Sequence, residues 1–203
     1  MPLFPIFLKL AGRLCLVAGA GNVAAEKISS LLHAGAQVTV VAPEALPAVA
    51  QQAAEKKILW HQRAFVPNDL DGMFLVIAAT SSPEVNHHIF TLASERGILC
   101  NSVDDPPNCD FYFPSIVERG DLQIAISTAG ESPALAQRLR KEIDAQLAPE
   151  FGVHLAQLGE LRREVLAEQP ASDERKQLLH TLAGLPLCEL PDCPARQLAH
   201  PKK

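Results

Sequence analysis

The 203-residue chain is 48% apolar and 20% charged, with a formal net charge of −5. Those proportions describe a globular protein large enough for one α/β core and a smaller second module, and the acidic balance sets up no global basic field for nucleic acid. No apolar run reaches the roughly 18–20 residues of a membrane span. The apolar N-terminal stretch, broken by Pro2, Pro5 and Lys9, lacks a secretory cleavage pattern. A cytoplasmic protein without membrane or nucleic-acid partners is expected.

Leu14–Ala18 reads as a buried strand that runs into Gly19-Ala20-Gly21-Asn22-Val23-Ala24. In this G-x-G-x-x-A pattern Gly19 makes the tight turn out of the strand. Gly21 lets a pyrophosphate approach the backbone at a helix N-terminus, and Ala24 is the small residue where helix and strand pack. The spacing predicts a helix over 22–34 with Val23, Ala24, Ile28, Leu31 and Leu32 inward, ended by Gly35. Gln37–Val41 is a β-branched second strand. A complete βαβ unit within about thirty residues turns a weak motif into a strong one.

Further along, 45–56 reads as a helix, 58–62 as a short strand and 74–79 as a continuous apolar strand covered on both faces. Thr80 and Ser81 follow at its carboxyl end, beside the expected ligand crevice. Ser81-Ser82-Pro83-Glu84 supplies a capping box, opening a helix with Val85, Ile89, Leu92 and Ala93 inward, and 98–103 is the next strand. This alternation predicts a Rossmann-like, doubly wound parallel α/β sheet.

After Asp105 strands come without helices between them, 111–117 and 122–127 about Glu118-Arg119-Gly120-Asp121. Ser132-Pro133 then opens a helix carrying Leu135, Ala136, Leu139, Ile143 and Leu147. Helices over 153–167 and 173–182 flank a break at Pro170-Ala171-Ser172, and the proline-rich end reads as a disordered tail. The expected division is a nucleotide-binding domain over 1–112, an α+β segment over 113–148, a small helical domain over 149–185 and a tail over 186–203.

Several residues are candidates for chemistry. Glu44 stands slightly beyond the usual place of the acid that bonds the ribose hydroxyls of NAD, and no Arg or Lys lies within 42–54 to meet a 2′-phosphate, so NAD is favoured over NADP. Asp104, at the carboxyl end of the last core strand, is a candidate general base or metal-facing carboxylate. Alternatively, Asp104 and Asp105 are turn residues that introduce Pro106-Pro107. Ser127, Thr128 and Ser132 line a strand-to-helix turn that could hold an anionic substrate or simply cap the helix. His87 and His88 diverge by about 100° on their helix and do not suit one metal. Cys15 and Cys100 read as buried apolar residues, Cys109 as a loop residue, and Cys188 with Cys193 as too few ligands for zinc.

Taken together, Pro5-Ile6-Phe7, Arg13, Gly19-Ala20-Gly21-Asn22-Val23-Ala24 with Lys27, Ala34-Gly35-Ala36, Ile77-Ala78-Ala79-Thr80 with Asn86, Asn101 with Val103-Asp104, Phe111 with Pro114-Ser115-Ile116, Ala125-Ile126-Ser127-Thr128 and Gly130 with Ser132-Pro133 carry a specific resemblance. Over about residues 2–165 the chain resembles the siroheme-synthase N-terminal module family of precorrin-2 dehydrogenases and sirohydrochlorin ferrochelatases. The resemblance implies NAD-dependent oxidation of precorrin-2 to sirohydrochlorin. In some members Fe²⁺ insertion follows in the same cavity. It implies that Asp104 is the essential aspartate, that Asn22, Val23, Pro43 and Glu44 contact the cofactor, and that a homodimer forms through about residues 113–147. Glu131 departs from the lysine of many relatives, which weakens any carboxylate-binding role at that position. The methyltransferase half of the fused enzymes is not expected, so a separate enzyme would supply precorrin-2. The rival reading is a non-catalytic Rossmann dimer that senses NAD(H) or binds a tetrapyrrole.

Overall fold

In a computed structural model, residues 3–185 together with Leu198 and Ala199 are described. The expectations for the tail, including Cys188 and Cys193, fall on residues outside this set, apart from that short piece.

The chain divides into two compact units, Met1–Phe113 and Pro114–Lys203. In the first unit five parallel strands lie in the order β3-β2-β1-β4-β5. These are β1 (Leu14–Ala18), β2 (Gln37–Val41), β3 (Ile58–His61), β4 (Leu75–Ala78) and β5 (Leu99–Ser102). The helices are α1 (Asn22–His33), α2 (Pro47–Ala54) and α3 (Pro83–Glu95).

Ala24, Ile28 and Leu31 of α1 and Val49 of α2 pack on one face of the sheet, with Cys15, Val17, Val40 and Ile77. Ile89 and Ala93 of α3 pack on the other, with Leu16, Val76 and Cys100. The sheet is thus doubly wound, and all four residues of β4 are buried, as a strand covered on both faces requires. The chain moves outward from β1 through β2 to β3, then crosses to β4 and β5 on the other side. That reversal puts the topological switch point between β1 and β4, where such sheets bind ligands at their carboxyl ends.

Four expectations need correction. The first strand of the hairpin after Asp105 runs over Ser115–Arg119 and not 111–117, so Glu118 and Arg119 belong to the strand and Gly120-Asp121 make the turn. Val23 is exposed on α1, with Ala24, Ile28 and Leu31 taking the buried stripe. On α3 the inward residue of the first turn is Asn86, not Val85. Finally, Ser82 caps α3 by accepting from the Val85 amide, but Glu84 bonds the Ser82 hydroxyl at 2.7 Å, so the arrangement is not the reciprocal capping box. A strand-end turn at Thr80 needs a polar partner beneath it, and Asn86 supplies that partner (below).

The second unit begins with an antiparallel hairpin of β6 (Ser115–Arg119) and β7 (Leu122–Ile126), in which Arg119 pairs with Leu122 and Gly120 turns at a φ of 57°. It continues as α4 (Pro133–Gln146), α5 (Glu150–Glu168) and α6 (Asp173–Ala183). The Arg119 guanidinium donates to the carbonyls of Leu147 and Asp144, each at 2.9 Å, and so closes the C-terminal end of α4. Leu161, Val165 and Leu182 form a small separate core with Ala199. Among the described residues no helix is long and apolar enough to cross a membrane.

Candidate functional site

Strand register places the first set of candidates. Ala18 pairs with Val41 on one side and with Ala78 on the other, and Ala78 pairs with Ser102. The strands carrying the Gly19 turn, Pro43-Glu44, Thr80 and Asp104 therefore end level, and all four segments leave the same edge of the sheet.

Gly19 is required on two counts. Its φ is 110°, and a Cβ there would lie 2.2 Å from the Ala79 carbonyl oxygen. The turn out of β1 is pressed against the end of β4, closer than any side chain permits. Gly21 is different: a Cβ added there meets nothing within 4 Å. It is the N-cap of α1, with no side chain capping the first amides and no acidic residue in the first turn. Helices α3, α4 and α6 are instead capped by Ser82, Ser132 and Ser172. An uncapped helix N-terminus opening onto free space beside a glycine fits the pyrophosphate of a dinucleotide, because its amides and dipole favour an anion.

The loop after β2 is fixed against this turn. The Leu46 amide donates to the Ala20 carbonyl at 3.1 Å, and the Trp60 indole N–H donates to the Ala42 carbonyl at 3.0 Å. Pro43 and Glu44 between these anchors are exposed. At the end of β4, Asn86 Oδ1 accepts from the Thr80 amide at 3.0 Å and from the Thr80 hydroxyl at 2.7 Å, while Asn86 Nδ2 donates to the Thr80 carbonyl at 3.2 Å. Thr80 is thus held rigidly at the switch point. Helical periodicity could not find Asn86 as its partner, since a buried amide occupies a position that periodicity assigns to an apolar side chain.

Asp104 follows β5 in a left-handed turn, φ 59°, which aspartate tolerates better than most residues. Its carboxylate is exposed. Asp105 accepts from the side-chain amide of Asn108 and opens the short 3₁₀ turn Pro106–Asn108, so it is the turn-forming member of the pair. The chain then doubles back along β5. Cys109 bridges to Asn101, Asp110 Oδ2 accepts from the Cys100 amide at 2.9 Å, and Asn101 Nδ2 donates to the Phe111 carbonyl at 2.8 Å. Burial pushes the Cys100 thiol up to about 12 and the Cys15 thiol up to about 11, so both behave as packing residues. The Cys109 thiol is also raised, chiefly by burial, and donates to the Ser102 carbonyl at 3.1 Å.

The returning segment brings Phe113 under Lys27, whose ammonium lies 3.7 Å from the ring centroid. Burial pushes Lys27 below its ordinary value, and the charges of Glu26 and Asp104 pull it back up. No role for Lys27 follows from local sequence, because its ring partner Phe113 is distant in the chain.

The candidates in the second unit make local bonds. Ser127 Oγ accepts from the Ala129 amide at 3.1 Å, Thr128 Oγ1 from the Ser132 amide at 3.2 Å and Ser132 Oγ from the Leu135 amide at 3.2 Å. Each hydroxyl keeps its own proton for donation. Glu131 is exposed in the same turn, and His87 and His88 are both exposed on α3. Among the described residues no group of three His, Cys, Asp or Glu side chains is disposed to hold a metal ion.

A doubly wound sheet with an uncapped, glycine-lined helix N-terminus at its switch point defines a dinucleotide-binding protein. The family described as "Putative NAD(P)-binding" matches residues 6–115, and the one described as "Sirohaem biosynthesis protein central" matches residues 119–146. The chain belongs to this NAD(P)-binding family, in the siroheme-synthase branch that its sequence motifs resemble. It is 42% identical over 176 residues to "Siroheme synthase" of Photorhabdus laumondii and 44% identical over 176 residues to "Siroheme synthase" of Neisseria meningitidis, each alignment covering 87% of this chain and 37% of the relative. The chain thus spans under two fifths of the length of these curated relatives. The solved structure of "SirC, precorrin-2 dehydrogenase" matches with a TM-score of 0.76 and 25% identity, covering 89% of each chain.

Proposed function

We propose that the chain oxidises precorrin-2 to sirohydrochlorin with NAD⁺. The supporting observation is the common sheet edge: the glycine cradle after β1 and the exposed Asp104 after β5 leave strands whose ends are level. Bound at the cradle, NAD⁺ supplies a hydride acceptor. The first amides of α1, at Asn22 and Val23, hold the pyrophosphate, with Gly19 and Gly21 leaving it room. Glu44 accepts from the ribose hydroxyls, Pro43 lines the same loop, and Thr80 borders the crevice from the β4 side. Asp104 takes up the proton that leaves the macrocycle along with the hydride, so each oxidation removes two hydrogens and forms one double bond. Within the second unit, the hydroxyls of Ser127, Thr128 and Ser132 are the groups proposed to donate to a carboxylate-bearing ligand. We further propose that the protein works as a cytoplasmic homodimer, with no nucleic-acid or membrane partner.

Anaerobic incubation with precorrin-2 and NAD⁺ tests the reading, with NADH absorbance as the readout. NADH should form in step with sirohydrochlorin, and no NADH above a no-enzyme control overturns the proposal in favour of an NAD(H)-sensing or tetrapyrrole-binding dimer. Asp104→Ala should lower kcat by about 10²-fold or more while leaving NAD⁺ binding unchanged, at a stability cost of about 1 kcal/mol for alanine in the left-handed turn. The names of the siroheme-synthase relatives motivate a second assay, insertion of Fe²⁺ or Co²⁺ into sirohydrochlorin without NAD⁺, which determines whether Asp104 also serves chelation.

A further inference from the structure

The fold brings to the cofactor loop a guanidinium that local sequence does not count. No arginine or lysine lies within 42–54, but Arg63 follows the end of β3, the strand beside β2. Val41 pairs with His61, and the His61 carbonyl accepts from the Ala42 amide at 3.2 Å and from the Arg63 amide at 2.9 Å. One oxygen thus holds the backbone of Arg63 beside the start of the loop that carries Pro43 and Glu44. The Trp60 indole, bonded to the Ala42 carbonyl, fixes the same junction. An arginine rooted there is long enough to span the loop, and an arginine near this ribose is what accommodates a 2′-phosphate.

The charge of Arg63 is engaged elsewhere. Its Nη1 and Nη2 donate to the two carboxylate oxygens of Asp69 at 2.8 and 2.5 Å, a bidentate pair in which the Asp69 side chain is only 7% exposed. The Val66 amide donates to the same carboxylate at 2.8 Å. Burial pushes the Asp69 carboxyl up, but the bonds from Arg63 and Val66 outweigh it and keep the group ionised at neutral pH. Asp69 belongs to the 3₁₀ turn Pro67–Leu70, seated by fully buried Leu70 and by Arg96, which donates to the Pro67 carbonyl at 2.6 Å. Helix α3 begins just past the carboxyl end of β4, and Arg96 caps its opposite end. The turn therefore draws the guanidinium away from the edge where the cofactor loop lies.

We propose that Asp69 is a specificity-determining residue: by engaging Arg63 it withholds the guanidinium at the end of β3 from the adenosine ribose, so that the cradle takes NAD⁺ in preference to NADP⁺. The inference rests on placing that ribose at Pro43 and Glu44, and it requires nothing of the second substrate.

Calorimetric titration of the full chain with NAD⁺ and with NADP⁺ tests it. Asp69→Asn keeps an acceptor for the Val66 amide and removes the charge that engages Arg63. It should tighten NADP⁺ about tenfold relative to NAD⁺, as one charge-assisted contact to a phosphate does. Adding Arg63→Gln to Asp69→Asn should remove most of that gain. An unchanged ratio in Asp69→Asn, or a gain that survives the loss of Arg63, overturns the inference. Glu44→Gln reads the ribose placement and should weaken NAD⁺ about threefold or more. A flat ratio in Asp69→Asn beside a weakened Glu44→Gln overturns the inference alone, whereas an unweakened Glu44→Gln overturns the placement and the inference with it.

A second readout needs no variant. In the wild-type chain the Arg63 guanidinium signals in NMR should be the same with NAD⁺ and with NADP⁺ bound, because the guanidinium stays on Asp69. Signals that move with NADP⁺ alone put it on the phosphate despite Asp69, and overturn the inference.

Discussion

Every residue of β4 in the first unit is buried, whereas along β6 in the second unit only Val117 is, and β7 has no fully buried residue. The first unit wraps a parallel sheet in helices on both faces, so its strands are continuous apolar runs. The second builds on a two-stranded hairpin, too small to bury both faces. It relies on backbone ties such as Arg119 to the end of α4 and leaves Ile116, Leu135, Phe151 and Val153 exposed in the single chain. The contrast teaches that the units differ in their cores and not in their surfaces: the first buries its strands from both faces, the second does not, and exposed apolar side chains occur in both, Phe4, Ile6 and Phe7 among them in the first. The apolar side chains of the second unit are what the proposed homodimer would cover.

The sharpest way to break this comparison is at Gly19. Gly19→Ala drives a Cβ into the Ala79 carbonyl at a φ disfavoured for alanine, and the strain should cost at least about 4 kcal/mol and abolish NAD⁺ binding. A folded variant with wild-type melting and NAD⁺ affinity would show that the β1–β4 contact is looser than described. Core truncation gives the next largest effect. Ile77→Ala, fully buried, should lose about 3–4 kcal/mol in urea unfolding, against under about 0.5 kcal/mol for exposed Ile116→Ala at concentrations where the chain is monomeric. At higher concentration Ile116→Ala should instead weaken self-association in sedimentation, and an unchanged dimer would remove Ile116 from the proposed interface.

Alkaline titration probes the first unit alone. The thiols of Cys15 and Cys100, ordinarily titrating at 9.0, sit at about 11 and about 12 when folded. Folded protein holds these protons longer than unfolded protein does. Stability is thus complete below pH 9 and falls as pH rises toward those folded values; each thiol contributes about 1–2 kcal/mol of loss by pH 10.5. Cys100→Ala should flatten that decline, and an unchanged slope would count against burial as its cause. The smallest effect is a matched pair of caps. Ser82→Ala in the first unit and Ser132→Ala in the second should each cost about 1 kcal/mol. Equal losses would locate the difference between the units in their cores rather than their helix ends.

Local chemistry made much of the first unit legible. Gln37–Val41 stands where its β-branched run predicts, and the glycine pair lies between β1 and α1, because turns and short strands answer to neighbours in sequence. Fold class, membership of the siroheme-synthase branch and the NAD(P)-binding assignment followed from such motifs. The faces of helices were read less well. Val23 and Val85, expected inward, are exposed, and Asn86 is buried in place of Val85 because the turn at Thr80, not helical period, decides what its side chain meets.

By itself, then, the sequence determined the βαβ unit with its glycines, the capping serines and the presence of an acidic residue after β5, all set by interactions within a few residues. Only the tertiary structure decided that β4 lies beside β1, that Gly19 is pressed against Ala79, and that Phe113 returns to lie beneath Lys27. Those contacts join residues far apart in the chain. They depend on which hydrophobic surfaces find each other across the sheet, information that no local spacing carries.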